Sequence, residues 1–168
     1  MSFTIRRLTE TDAAAYRLLR LEALRNAPEA FGDSHEEAAA RPDAYWTRLF
    51  DGRRVFFGAH VGDSLAGIVN YMRAPGIKEA HKGSLLGLYV RPDARKSGCG
   101  RALVEAVLDH ARQTDAEQVL LTVAARNDAA RHLYESKGFE VYGMEPRALK
   151  IDGVALDEYL MVAFLDER

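Results

Sequence analysis

The chain predicts a mixed α/β fold, α+β in its hairpins: one mixed sheet carrying helices on both faces. Three observations carry this reading. An apolar run over 85–90 leads through Arg95-Lys96-Ser97-Gly98-Cys99-Gly100-Arg101 into a helix-period run over 102–112, a strand, glycine loop and helix in succession. Gly62-Asp63 and Asp152-Gly153 each sit between two strand-like runs as two-residue hairpin turns. The overall order is strand, helices, hairpin, strand, helix, strand, helix, hairpin.

Each element has its own local reason. Residues 3–7 alternate apolar and polar, as in a short strand. Thr9 with Asp12 suits a cap for a helix over 10–25, whose Tyr16, Leu19, Ala23 and Leu24 recur at helical spacing. Asn26, Ala27 and Pro28 stop it. Residues 34–40 suit one short helix, and Pro42 suits the first turn of another that aligns Tyr45, Trp46, Leu49 and Phe50. Strands follow over 55–61 and 65–73, then a charged loop over 74–82. The run 84–90 is almost wholly apolar, as expected of a strand covered on both faces. Leu103, Ala106, Val107, His110 and Ala111 make one helical stripe. Another buried-type strand spans 118–124, and Asn127 opens a helix to Lys137 with Gly138 just past its end. The last pair spans 139–151 and 154–165. Pro146 marks the first of these as an edge or bulged strand. Apolar residues on both alternating sets from Tyr159 onward mark the second as central.

Length and composition narrow the classes. A chain of 168 residues suits a single domain over 1–168 and can bury ~70% of its unfolded surface. With 48% apolar residues it can build a core, and a net charge of −2 gives no general attraction to nucleic acid or to a membrane surface. One cysteine, Cys99, rules out an internal disulfide and suits a reducing compartment. The first residues lack the apolar core of a signal peptide, and no run approaches ~18 apolar residues. The expectation is a soluble cytoplasmic domain, with oligomeric state open and a homodimer among the alternatives.

The glycine loop carries the chemistry. Where a strand turns through glycines into a helix, unpaired N–H groups and the helix dipole together favour an anion. Glycine also lets the backbone approach a ligand that a Cβ would hold off. Two phosphate loops fail to fit. Lys96 and Ser97 precede the glycines, whereas a nucleoside-triphosphate loop needs Gly-Lys-Ser/Thr; and the third glycine of a dinucleotide fingerprint is here Leu103. The remaining pattern, Arg95-x-x-Gly98-x-Gly100, resembles motif A of the GNAT superfamily of acetyl-CoA-dependent N-acetyltransferases. A second block, Asn127-Asp128-Ala129-Ala130-Arg131-His132-Leu133-Tyr134-Glu135-Ser136-Lys137-Gly138-Phe139, resembles that family's motif B, in the right order and at a fitting distance.

The resemblance implies a fold and a set of roles. The sheet should be twisted and mostly antiparallel. Its two central parallel strands, ending near Val90 and Ala124, should splay apart to admit the coenzyme A arm. Backbone amides of Arg95, Lys96, Gly98, Cys99, Gly100 and Arg101 should hold the pyrophosphate of acetyl-CoA, with the basic side chains able to add charge-assisted contacts. Leu88, Tyr89 and Val90 should offer backbone to the pantetheine amides. Asn127 should face the cofactor arm, although its position alone reads as a helix N-cap. Tyr134 should protonate the departing thiolate; read alone, Ala130, Leu133, Tyr134 and Lys137 form an ordinary packing stripe. Cys99 lacks a paired base and reads as a small apolar filler.

The general base is not marked. The strand segment Ser84-Leu85-Leu86-Gly87-Leu88 has no acid where many family members carry a Glu. Glu36, Glu37, His81 and Glu145 are the candidates on segments facing the acceptor, each equally readable as a solvated group. The five histidines show no metal-ligand spacing. The expected reaction is direct transfer of acetyl to the primary amine of a small molecule in a ternary complex. A protein N-terminus or lysine is the alternative acceptor, and a coenzyme A-binding module without turnover is the alternative class. Residues 28–42 and 74–82 are expected to shape the acceptor pocket, and four acids between Glu29 and Glu37 hint at a cationic amine.

Overall fold

Residues 1–166 are described by the computed structural model. In chain order the elements are β1 (Thr4–Arg7), α1 (Ala13–Asn26), α2 (His35–Ala39), α3 (Asp43–Arg48), β2 (Arg54–Val61), β3 (Ser64–Arg73), β4 (Lys82–Val90), α4 (Cys99–Gln113), β5 (Gln118–Ala124), α5 (Asp128–Glu135), β6 (Glu140–Ile151) and β7 (Val154–Phe164). The strands form one sheet in the order β1-β2-β3-β4-β5-β7-β6. Every described pair is antiparallel except β4 with β5.

Helices cover both faces because the strands bury both sets of alternating side chains. On one face α4 and α5 close a core of Val69, Tyr71, Leu85, Leu103, Val107 and Val119 with Tyr134 and Met161. On the other face α1, α2 and α3 pack Tyr16, Leu19, Ala23 and Trp46 over Phe56, Ile68 and Tyr89. Burying side chains of this size contributes about 1.5–3 kcal/mol each, so neither face is stable uncovered.

Local signals set the boundaries. Thr9 N–H donates to Asp12 Oδ2 at 2.8 Å, and Arg6 pairs with the same carboxylate at 2.7 Å. The expected helix from Glu10 therefore begins as one 3₁₀ turn, Glu10–Asp12, with α1 starting at Ala13. Ser34 caps α2 by accepting from the Glu37 N–H at 3.1 Å, and Pro42 stands as the N-cap of α3 rather than in its first turn. Both hairpin turns form where expected. β6 is the edge strand, and its register slips between Glu145 and Leu149, around Pro146. Pro146 has no N–H to give the ladder. β7 lies between β5 and β6, as its two-sided apolar pattern predicts.

A further expectation changes. The apolar run over 84–90 read as a strand buried on both faces. In the structure β4 starts two residues earlier and exposes Leu86, Gly87 and Leu88 partly, because they border an open cleft. A cleft lined by apolar side chains leaves the same signature as a covered strand.

Candidate active site

β4 and β5 run side by side for only three positions, Lys82–Gln118, Gly83–Val119 and Ser84–Leu120. Beyond Ser84 they part. Just past that point Gly87 has φ +64° and the β3–β4 register slips between Ile68 and Asn70, a bulge that bends β4 where its pairing with β5 has ended. The Arg91 N–H bonds the Ala66 carbonyl at 2.8 Å. Backbone direction alternates along a strand, so the N–H and C=O of Val90 face the gap. Leu88 lines the same gap. Tyr89 turns its side chain to the other face, where its hydroxyl donates to Glu22 at 3.3 Å; only its backbone is near the splay.

The glycine loop sits at the mouth of this gap. Lys96 (φ +59°) and Gly98 (φ +90°) reverse the chain so that α4 starts at Cys99. Ser97 Oγ donates to the Ala94 carbonyl at 2.7 Å and pins the turn. Among the described residues, the amides of Lys96, Ser97, Gly98, Gly100 and Arg101 meet no protein acceptor, whereas the Cys99 N–H makes a long 3.4 Å contact to Ser97 Oγ. Gly98 needs glycine for its φ, and a Cβ there would meet nothing within 4 Å. That is an open cradle of N–H groups at the start of a fifteen-residue helix, the arrangement that suits a pyrophosphate. Lys96 and Arg101 are exposed cations beside it.

Arg95 departs from its expected role. Its N–H is taken by the Pro92 carbonyl at 3.3 Å, its Nε donates to the Val90 carbonyl at 2.9 Å, and its guanidinium lies 5.7 Å from the Tyr89 ring centre. It closes the end of β4 rather than offering an amide. Cys99 is 1% exposed and burial pushes its thiol pKa up, which makes it an inert filler.

Motif B brings two more groups to the gap. Asn127 Oδ1 accepts from the Ala130 N–H at 3.1 Å, so it caps α5, while its residue also lines the cleft. Tyr134 packs edge-on to Phe139 at 5.8 Å and borders the same cleft. Burial raises its pKa far above the ordinary phenol range, and among the described residues its hydroxyl has no hydrogen-bond partner. Lys137 pairs with Glu105 and holds the end of α5 against α4.

On the opposite face the splay opens into a cavity of about 340 Å³. Residues 28–42 line it through Phe31, Asp33 and Arg41; the loop over 74–82 does not, because it lies where β4 and β5 are still paired. His81 is in that loop, and its carbonyl accepts from the Glu117 N–H at 2.8 Å. Glu36 and Glu37 are exposed on α2, with Glu37 accepting from Ser34 Oγ at 3.0 Å. Glu145 is exposed on β6. None of these four lines the cavity. Two acids do: Asp33, which is ion-paired, and Glu158 of β7, paired in register with Ala124. Burial first, then the neighbouring Glu145, raise the Glu158 pKa, and Thr122 counters in part. The sequence held one signal for it: Glu158 is an acid inside a strand read as central.

The acid-rich segment does not make the cavity acidic. Asp33 is shared between Arg20 at 3.3 Å and Arg41 at 3.3 Å, and these cations hold its pKa below the usual carboxylate value against the opposing effect of burial.

Comparisons with known proteins agree with this layout. The family described as "Acetyltransferase (GNAT) family" matches residues 16–139. L-amino acid N-acyltransferase MnaT of Escherichia coli (strain K12) is 35% identical over 81 residues, which are 48% of this chain and 47% of that protein. N-alpha-acetyltransferase RimI of Mycobacterium tuberculosis is 34% identical over 124 residues, 71% of this chain and 72% of that protein. The chain spans about half the length, or less, of most of the curated relatives it matches. The solved structure of yncA from Salmonella typhimurium with its cofactor acetyl-CoA has the same fold, with a TM-score of 0.83 at 22% identity over 100% of this chain and 96% of that one. The chain therefore belongs to the GNAT family of acetyltransferases.

Proposed function

We propose that this chain transfers the acetyl group of acetyl-CoA to the primary amine of a small molecule, by direct attack with both substrates bound. The observation that carries this is the parting of β4 and β5 after Ser84, with unbonded amides at one mouth and Tyr134 and Glu158 on the walls. The residues fit the donor: the Lys96–Arg101 amides suit the pyrophosphate, and the Val90 N–H facing the gap suits an arm built of amides, the Val90 carbonyl being taken by Arg95. Bound acetyl-CoA supplies an activated thioester carbonyl.

The protein's own groups then have distinct tasks. Glu158 has a carboxylate made more basic by burial and by Glu145, and it takes the proton that an alkylammonium must lose before attack. Tyr134 stays a neutral phenol across the working pH range, so it has a proton to give to the departing sulfur. A backbone N–H on the open β4 edge polarises the carbonyl under attack. No cysteine thiol borders the cavity among the described residues, which favours direct attack over a thioester acyl-enzyme. The cavity volume is that of a small-molecule site and favours a free amine over a folded protein segment.

Calorimetric titration with coenzyme A, followed by labelled-acetyl transfer to a panel of amines, tests the proposal. Micromolar binding with transfer to at least one small amine is expected. Tight binding with no transfer would identify a binding module instead, and the absence of both would remove the reading.

A further inference from the structure

We infer that the acceptor carries a carboxylate beside its amine, and that Arg20 holds this carboxylate; the inference rests on the acetyl-transfer reading above. Arg20 follows Tyr16 by four residues, so α1 turns it inward with the core-facing stripe. Its side chain is 14% exposed. Burying a guanidinium costs free energy unless its donors are satisfied, and here the satisfaction is incomplete. Nη2 donates to Asp33 at 3.3 Å, and the plane lies 4.6 Å from the Phe31 ring centre. Asp33, however, also serves Arg41, itself 4.5 Å from the Tyr45 ring centre. One carboxylate thus answers two guanidinium groups. Nη1 is buried and has no acceptor among the described residues.

The position of that free donor is informative. A Cβ placed on Gly87 would stand 3.5 Å from Arg20 Nη1 and 3.1 Å from Asn70 Nδ2. Gly87 lies in the β4 bulge beyond the last β4–β5 pair at Ser84, so the unmet charge lies beside the splay, where Arg20 and Gly87 line the cavity. Asn70, 3% exposed, donates from Nδ2 to the Leu86 carbonyl at 3.2 Å and has an unpartnered Oδ1. A cationic donor for a carboxylate and a lone acceptor for an amine N–H therefore flank one bend of β4. The two ends of an α-amino acid match that pair. Among the described residues lining the cavity, Arg20, Arg41 and Arg54 outnumber Asp33 and Glu158, so an added anion is not repelled. An amine without the anion leaves Arg20 buried and unmet, and such sites discriminate strongly against the analogue lacking the group.

The test compares L-alanine, L-methionine and L-phenylalanine with their carboxamides, which keep size and amine but lose the charge. For at least one pair, kcat/KM should favour the acid by about 100-fold. In Arg20→Met this ratio should fall below about 5-fold; Arg20→Lys, which keeps the charge and loses the planar fork, should fall between. Unchanged coenzyme A affinity verifies that each variant is folded, and Arg20→Lys decides if Arg20→Met is not. A second readout avoids turnover: with coenzyme A bound, the N-acetyl acids should bind at least 10-fold tighter than the N-acetyl carboxamides, through Arg20. Carboxamides that serve as well as acids, or a ratio untouched by either variant, overturn the inference. Arg20-dependent binding of the acids without acetylation of any amine would leave the anion site standing and remove the catalytic reading instead.

Discussion

Glu145 and Glu158 stand directly opposite each other on the antiparallel β6–β7 ladder, one exposed and the other partly buried against the cavity wall. Like charges in that position raise the cost of ionising the more buried one. Glu158 accordingly holds its proton to higher pH than a free Glu, with burial the larger cause and Glu145 the next.

The pH profile should report this. A general base works when deprotonated, so kcat/KM should rise with pH through the Glu158 pKa, at a midpoint above the ordinary 4.5. Glu145→Gln removes the repulsion and should move that limb to lower pH while leaving the plateau in place. Glu158→Gln should lower the plateau by about 10²-fold or more. An acid limb that stays fixed in Glu145→Gln, or persists at full height in Glu158→Gln, would assign the base elsewhere.

Tyr134→Phe separates chemistry from binding. The hydroxyl has no protein partner among the described residues, so its loss should leave thermal stability within about 0.5 kcal/mol of the parent. The affinity for coenzyme A should change by less than about threefold, whereas kcat should fall by about 10²-fold. Burial keeps the phenol protonated, so no alkaline limb in the parent's profile should disappear in the variant. Equal kcat values in parent and variant would return Tyr134 to a purely packing role.

Gly98→Ala should weaken the cradle. The residue has φ +90°, and alanine in the left-handed region costs about 1–2 kcal/mol. The cavity side is open, so the cost is conformational and not a clash. The expected readouts are a lower Tm and a coenzyme A Kd raised about tenfold or more. An unchanged Kd would place the pyrophosphate away from this loop.

Asp12 gives a stability test far from the cleft. Arg6 foremost, helped by the Thr9 N–H, holds its pKa down from 3.8 to about 2. Its contribution is therefore fully present above the unfolded value near 3.8, and is lost as pH falls through about 2. The pair is half exposed on the Arg6 side, so solvent screening limits the contribution to about 1 kcal/mol. Asp12→Asn should lower unfolding free energy by about that amount at pH 7, and the gap to the parent should close between pH 4 and pH 2. A gap constant across that range would mean the carboxylate charge contributes nothing.

The backbone geometry of the glycine loop was legible in the residues, and the lining of the cavity was not. Gly98 and the helix after it are contiguous in sequence, and a loop of backbone amides needs nothing from elsewhere in the chain. The same holds for Asn127, which caps its own helix. For Arg95 the motif shows which residue stands there but not that its guanidinium folds back onto the Val90 carbonyl. Glu158 and Arg20 escaped notice for a common reason: each lies in an element whose neighbours read as core, and only packing shows that one such position opens into a cavity.

The sequence alone determined the elements, their order, the edge position of the proline-broken strand and the glycine turn into α4, because turn residues, caps and period act over a few positions. Tertiary structure decided where β4 parts from β5, that Glu158 lines the gap, and that Asp33 of the acid-rich segment is paired with Arg20 and Arg41. Those depend on residues far apart in the chain meeting at one bend of β4, and local propensity carries no record of such meetings.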